Sequence, residues 1–367
     1  MINRKKLVYI LHDIAVGGVE MALLSAIPEL TKHYDLKILV LGSVDESLIQ
    51  GLSQEEKNIF HSFKIPVYAY PFQLKKITNW IIEERPALII SSLWRASWVG
   101  TAVKKKLGQA VKFISFIHST NFPHYFAYYF NGRAVKLSDL VLTDSQSSFL
   151  FVKKKFEPRA DIKVISFLTH KTPEIYPGNK IPDNKILNLL SLGRIQKVKN
   201  IPLALEVISE LRNKGYTVIL DIYGRPGNDY DAVIKKRTEL NLEQNVFFKG
   251  VITGDEKFAL FNKYHFIIQL SSYEGMAMSI AEAMQHGLPV IASPVGEIPY
   301  YSKDMQSAIH FNINDSSKWK ENILKIEHVI NTPALYQQIS VNSWASFQYA
   351  LTYSQSLLEA INSIIPK

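Results

Sequence analysis

The stretch HFIIQLSSYEGMAMSIAEAMQHGLPVIA, residues 265–292, decides how this chain folds. His265–Ser271 is an apolar run of strand length and reads as a buried strand. Met276–His286 reads as a helix, with Gly287 as its stop signal. A buried strand that turns within a few residues into a helix is the repeating unit of a parallel, doubly wound sheet.

The same alternation continues to either side. Strands are predicted at Leu7–Leu11, Leu36–Leu41, Ile65–Tyr70, Ala87–Ser91, Lys112–Ile117 and Leu140–Thr143. Helical patterns lie between them at Glu20–Thr31, Leu74–Glu84 and Trp98–Leu107, and Ser145 is placed to cap another that runs to about Phe156. Thr169–Asn184 collects Pro173, Pro177, Gly178 and Pro182 and is the candidate linker. The alternation then restarts, with strands at Leu187–Leu192, Val218–Tyr223 and Val246–Lys249, helices at Ile201–Lys214, Tyr230–Leu240 and Asp255–Phe261, and a late strand at His310-Phe311. Helical patterns at Lys318–Val329 and Ala345–Ile364 close the chain. The expected architecture is α/β: two Rossmann-like doubly wound parallel-sheet domains, residues 1–172 and 185–345, facing a central cleft at the carboxyl ends of their strands.

Composition excludes several classes. The 367 residues suffice for two ordinary domains, and 47% hydrophobic with 20% charged residues is the balance of a soluble globular protein. No apolar run reaches membrane-spanning length. Arg4, Lys5 and Lys6 open like a signal peptide, but His12 and Asp13 break the apolar run, so a first strand is the better reading. The lack of cysteine removes disulfides and thiolate ligands and fits a reducing cytoplasm. The net charge of +9 lies wholly in residues 1–180, with 24 basic against 15 acidic residues. Its clusters, Lys104-Lys105-Lys106 and Lys153-Lys154-Lys155, read either as solvated helix faces or as a surface for anions. The neighbouring Phe122, His124, Tyr125, Phe126, Tyr128, Tyr129 and Phe130 suit an anionic membrane surface. No diagnostic nucleic-acid motif accompanies them.

Glu274 falls in the strand-to-helix turn and Glu282 two turns into the helix, offset by roughly 12 Å along its axis. That offset could match the two sugars of a nucleotide-sugar whose diphosphate faces the helix N-terminus, where free N–H groups and the dipole favour an anion. Either glutamate alone reads as a solvated charge. Glu282, however, is flanked by Ile280, Ala281, Ala283 and Met284, and a carboxylate in such company needs a partner. After the first strand of the second half, Gly193-Arg194-Ile-Gln-Lys197-Val-Lys199-Asn200 brings Arg194 for bidentate phosphate binding and Lys199 as a point charge. An ordinary basic loop is the alternative. Gly17-Gly18 lets backbone approach a bulky ligand, although a plain turn reads equally well. His118 ends a strand and could orient a reacting group. Asp229 and Asp231 imitate a metal-binding pair, which helix capping explains more simply.

These residues together resemble the retaining glycosyltransferases of family 4, which have the GT-B fold. The resemblance rests on Gly193-Arg194 with Lys199, on Glu274 with Glu282, on Gly287-Leu-Pro-Val-Ile-Ala292 and Gly296, and in the first half on Gly17-Gly18, His118 and Ser138–Ser145. It implies that Arg194 and Lys199 bind the diphosphate of a UDP- or GDP-sugar and stabilise the departing charge. Glu274 would accept from hydroxyls of the transferred sugar, Gly275, Met276, Ala277 and Met278 would offer backbone N–H groups, and Glu282 would hold the ribose. Val251 and Ile252 would flank the base, His118 the sugar, and Gly17 and Gly18 the diphosphate or acceptor. No essential metal or cofactor is implied, and a helix at about 346–367 would cross back onto the first domain. Glu297, Tyr300 and Asn200 depart from the family pattern. The implied activity is sugar transfer to a lipid-linked or saccharide acceptor in bacterial surface polysaccharide synthesis, by a cytoplasmic protein peripheral on the inner membrane face. A nucleotide-sugar epimerase of the same fold and a non-catalytic nucleotide-sugar-binding protein are the competing readings.

Overall fold

A computed structural model of the chain describes residues 4–15, 17–122, 124–178, 186–252 and 254–365. It contains two parallel α/β units. One holds the residues up to His170 together with those from Leu351 onward, and the other holds Lys171–Ala350. Part of the expected linker, residues 179–184, lies outside the described residues.

The first unit has seven strands: β1 (Lys6–Leu11), β2 (Asp35–Val40), β3 (Phe60–Ser62), β4 (Leu88–Ser92), β5 (Lys112–Ile117), β6 (Leu140–Thr143) and β7 (Ile162–Val164). They form one parallel sheet in the order β3-β2-β1-β4-β5-β6-β7. Helices cover both faces, so β4 is buried along its whole length and β1 and β5 beyond their first residue. This is why these strands read as unbroken apolar runs rather than alternating ones. The helix Tyr353–Asn362 also belongs to this unit: Tyr353 lies parallel to the Phe116 ring at 6.3 Å, and its hydroxyl is 3.3 Å from that of Tyr9.

The second unit has six strands: β8 (Ile186–Leu192), β9 (Thr217–Tyr223), β10 (Val246–Gly250), β11 (Phe266–Gln269), β12 (Val290–Ala292) and β13 (Ile309–His310). Their order is β10-β9-β8-β11-β12-β13, again all parallel. Helix Ile201–Asn213 buries Ile201, Ala204, Leu205, Ile208 and Leu211, the apolar stripe of a 3.6-residue period. The strand order reverses between β8 and β11. Loops leaving such neighbouring strands diverge to opposite faces and open a crevice at their carboxyl ends.

Three expectations are corrected. Ile65–Tyr70 is no strand; the third strand is Phe60–Ser62, and Tyr70 already opens a helix to Glu83 with Pro71 in its first turn. Proline there has its φ set for a helix and no N–H to give a sheet. Ala345–Ile364 is not one helix but the end of Pro333–Ala345 and the separate Tyr353–Asn362. Thr352 starts the latter in a capping box with Gln355, which satisfies orphan N–H groups and fixes a new helix start. Lys104, grouped by sequence with the exposed lysines, is buried; its Nζ donates to Asp139 Oδ2 at 2.8 Å and to Val111 O at 2.9 Å. Among the described residues no helix is long and apolar enough to cross a membrane.

Burial acts to raise the Asp139 carboxyl, but hydrogen bonds from Lys104 and the Phe113 N–H, with the charges of Lys104 and Lys112, outweigh it and hold its pKa below the ordinary value. Its stabilising contribution is therefore present above the unfolded carboxylate pKa and lost as pH falls through the lower, folded one. Replacing Lys104 by methionine leaves the half-buried carboxylate with the Phe113 N–H and the more exposed Lys112, and is expected to cost about 2 kcal/mol at neutral pH. Urea midpoints at pH 7 and pH 3 test this, the loss shrinking at the lower pH.

Candidate functional site

The crevice of the second unit is built by two loops. The first leaves β8 through Gly193, where a Cβ would stand 3.3 Å from Lys199 Cε, so glycine leaves room for the lysine stem. Arg194 follows, exposed and without a carboxylate partner among the described residues. The short turn Lys197–Lys199 ends at Asn200, whose φ of 50° is left-handed. Asparagine tolerates that region better than most residues.

The second loop leaves β11 at Gln269. Lys199 Nζ and Gln269 Nε2 both donate to the same oxygen, Glu274 Oε1, each at 2.8 Å. Ser279 Oγ donates in turn to Gln269 Oε1 at 2.9 Å, which fixes which way the amide faces. Glu274 Oε2 has no hydrogen-bond partner among the described residues. The carboxylate is thus held by one oxygen and presents the other. Its backbone is held as firmly: Gly275 O accepts from the Glu297 N–H at 2.9 Å, and Met276 O from the Tyr301 hydroxyl at 3.1 Å. Ala277 adopts φ 54° and starts the helix Met278–Gln285. Gly296, at φ 60°, lies so close that a Cβ would be 2.3 Å from Glu274 O. Ile280 and Ala281 donate to Ala277 O, which leaves the N–H groups of Met278 and Ser279 at the helix start a few residues after Glu274.

Glu282 lies on that helix and is buried. Its Oε1 receives Lys257 Nζ at 2.7 Å. Burial raises the carboxyl, and the charge and hydrogen bond of Lys257 oppose it, leaving it above its ordinary value. Val251 is exposed and Ile252 half-buried just past β10.

In the first unit, His118 follows β5 with its side chain largely covered, and its Nε2 is 2.7 Å from Ser92 Oγ. Its Nδ1 is 3.9 Å from Asp144 Oδ2, beyond hydrogen-bond reach, and has no partner among the described residues. Burial pushes the imidazole down to about 3 and the Asp144 carboxyl up to about 6 against the hydroxyls of Ser148 and Ser145, so His118 is neutral at pH 7. Gly17 caps the helix Gly18–His33 in extended backbone, and Glu20 folds back over it: a Cβ there would be 2.3 Å from Glu20 Oε2. An anion at that turn must displace this carboxylate.

The structure therefore brings Gly193, Lys199, Glu274 and Gly275–Met278 into one contiguous cluster. Asp229 and Asp231 sit at the start of the helix Tyr230–Glu239, and among the described residues no group of three or more His, Asp or Glu is gathered as a metal site. Sequence reading missed Gln269, Ser279 and Lys257. Gln269 carried a signal, since it is the one polar residue of the apolar run Phe-Ile-Ile-Gln-Leu. Lys257 carried none.

Comparison with known proteins places the second unit in a class. Residues 172–341 match the family described as Glycosyl transferases group 1, so this unit carries a glycosyl transferases group 1 domain. The chain is similar to the poly(ribitol-phosphate) alpha-N-acetylglucosaminyltransferase of Staphylococcus aureus, 28% identical over 201 residues, 53% of this chain and 37% of that protein. It is also similar to the poly(glycerol-phosphate) alpha-glucosyltransferase of Bacillus subtilis, 30% identical over 111 residues, 30% of this chain and 16% of that one. It thus spans well under half the length of either relative. The whole fold is that of Anabaena Alr3699/HepE, solved with UDP and glucose: TM-score 0.78 at 18% identity, over 98% of this chain and all of that one. The two parallel-sheet units are those of GT-B glycosyltransferase structures.

Replacing Lys257 by methionine leaves burial of Glu282 unopposed, so its carboxyl will titrate at higher pH than in the wild type. Carboxyl ¹³C NMR of labelled glutamate tests this. A folded pKa above the unfolded one stabilises fully at low pH and is lost as pH rises through it, and that decline will extend to higher pH in the variant.

Proposed function

We propose that this chain is a retaining family 4 glycosyltransferase that moves a hexosyl or related sugar from a UDP- or GDP-sugar to a lipid-linked or saccharide acceptor of the bacterial surface. The observation that carries this reading is Glu274, gripped through Oε1 by Lys199 and Gln269 while Oε2 is left to accept from a sugar hydroxyl. It stands at the switch point of the second sheet, beside a helix N-terminus suited to an anion.

In this reading Lys199 and Arg194 face the diphosphate, and the N–H groups of Gly275–Met278 assist them. Glu282 accepts from the ribose hydroxyls, and Val251 with Ile252 flanks the base. In the first unit, His118 serves as a neutral hydrogen-bonding contact and the Gly17-Gly18 turn as an acceptor contact. The bond from the sugar's C1 to the phosphate oxygen breaks, and the acceptor oxygen bonds to C1 on the same face. The acceptor proton passes to the departing phosphate, whose charge the two cations stabilise without a metal. The names of the two sequence relatives support an anionic polyol-phosphate chain as acceptor. The basic excess of residues 1–180 supports a peripheral position on the inner face of the membrane.

Glu274→Gln keeps the side chain's size but turns its charged acceptor into an amide. It is expected to lower transfer from a UDP- or GDP-sugar by about a hundredfold while nucleoside diphosphate affinity changes little. Lys199→Ala should weaken that affinity. Acceptor-dependent release of nucleoside diphosphate measures the first and calorimetry the second. Full turnover by Glu274→Gln would reject the assignment, and conversion of donor to a sugar isomer without acceptor would favour an epimerase.

A further inference from the structure

The first unit carries a trough that the proposed catalytic residues do not use. It runs between the helices Tyr125–Leu137 and Gln146–Lys155 as two adjoining hollows of about 410 and 360 Å³, which share Tyr125, Tyr128 and Lys155 along their walls. Its chemistry is one-sided. Arg133 and Lys136 enter from the first helix, one turn apart, and Lys155 from the end of the second, while among the described residues no carboxylate lines either hollow. Lys136 and Lys155 have no ion-pair partner among the described residues, so their charge is turned to solvent. The rings between the cations are ordered. Tyr125 and Tyr129 stack at 6.3 Å with planes 26° apart, and the Tyr129 hydroxyl accepts from Arg133 Nη1 at 3.2 Å, leaving its own hydrogen free to donate.

We propose that this trough binds a chain of phosphodiester-linked polyol or sugar units, the anionic acceptor class. The proposal rests on the acceptor class given under the proposed function. Its occupant must be an anion, because three cations meet no acid there. It must be elongated, because two joined hollows exceed the needs of one headgroup. It must also present carbon faces and hydroxyls beside its charges, because Tyr125, Tyr128 and Tyr129 line the same walls as the cations: rings cover carbon faces, phenol hydroxyls bond to hydroxyls, and lysine and arginine hold phosphates. Phe122 and Phe151 line the second hollow and Phe126 stands exposed on the first helix, so a membrane contact is the competing occupant that vesicles test.

Full-length protein is titrated by calorimetry with a short glycerol-phosphate oligomer, a neutral dextran oligomer and phosphatidylglycerol vesicles. The oligomer is expected to bind and to weaken with added salt, and the dextran not to bind. The double variant Lys136→Gln/Lys155→Gln should lose on the order of tenfold in oligomer affinity, and Tyr129→Ala a similar amount. Both variants should keep the wild-type Tm and nucleoside diphosphate affinity. Oligomer affinity unchanged in both variants, or binding to vesicles with none to the oligomer, overturns the proposal, the latter in favour of a membrane contact. Loss of nucleoside diphosphate binding in the wild type would instead refute the donor site and leave the trough result standing.

Discussion

A lysine and a glutamate that leave adjacent strands of one sheet meet at 2.8 Å, and the candidate site of the second unit is arranged around that contact. The pair is mostly shielded from water, with Glu274 only 10% exposed, so each charge would be costly without the other. Attraction alone does not orient a carboxylate. Gln269 does, by donating to the same oxygen as Lys199, and Ser279 fixes the amide from behind. The backbone around it is equally constrained. Ala277 accepts a left-handed conformation that costs a non-glycine residue on the order of 1 kcal/mol, and Gly296 is the residue whose lack of a Cβ lets the turn close. Local strain tied down by several independent hydrogen bonds marks a position held for geometry rather than for stability.

Buried ionisable groups in the two units are handled differently. In the second unit Glu274 and Glu282 each have a lysine in contact. In the first, His118 is shielded by aromatic rings and held neutral, and so is His12, whose Nε2 accepts the Arg95 N–H at 2.9 Å. The carboxyl ends of the first sheet therefore hold two neutral imidazoles and Asp144, whose carboxyl burial raises to about 6, while those of the second hold Glu274 and Glu282 against lysines.

Much of this was legible in the residues because the strands are buried on both faces and punctuated by glycine and proline. The alternation gave both sheets, and the turn at Glu274 with Lys199 in the preceding crossover marked the site. Failures came where a local rule met a competing one. Ile65–Tyr70 has strand composition, but Pro71 commits the chain to a helix. Lys104 looks like its neighbours in a run of three, yet helix geometry turns that one toward Asp139. Lys257 was invisible because its contact spans 25 residues and depends on how one helix packs beside another. Asn200, which looked like a departure from pattern, stands in a left-handed backbone that asparagine tolerates.

The helix Tyr353–Asn362 has a consequence for how the protein is made. Its aromatic residue completes the layer formed by Tyr9, Phe116 and Phe167, although some 180 residues of another unit are translated in between. The amino-terminal sheet leaves the ribosome with a gap in its hydrophobic wall that only sequence beyond Leu351 can close. Closure of the first unit's wall therefore cannot precede synthesis of the second, the reverse of the usual order of vectorial folding.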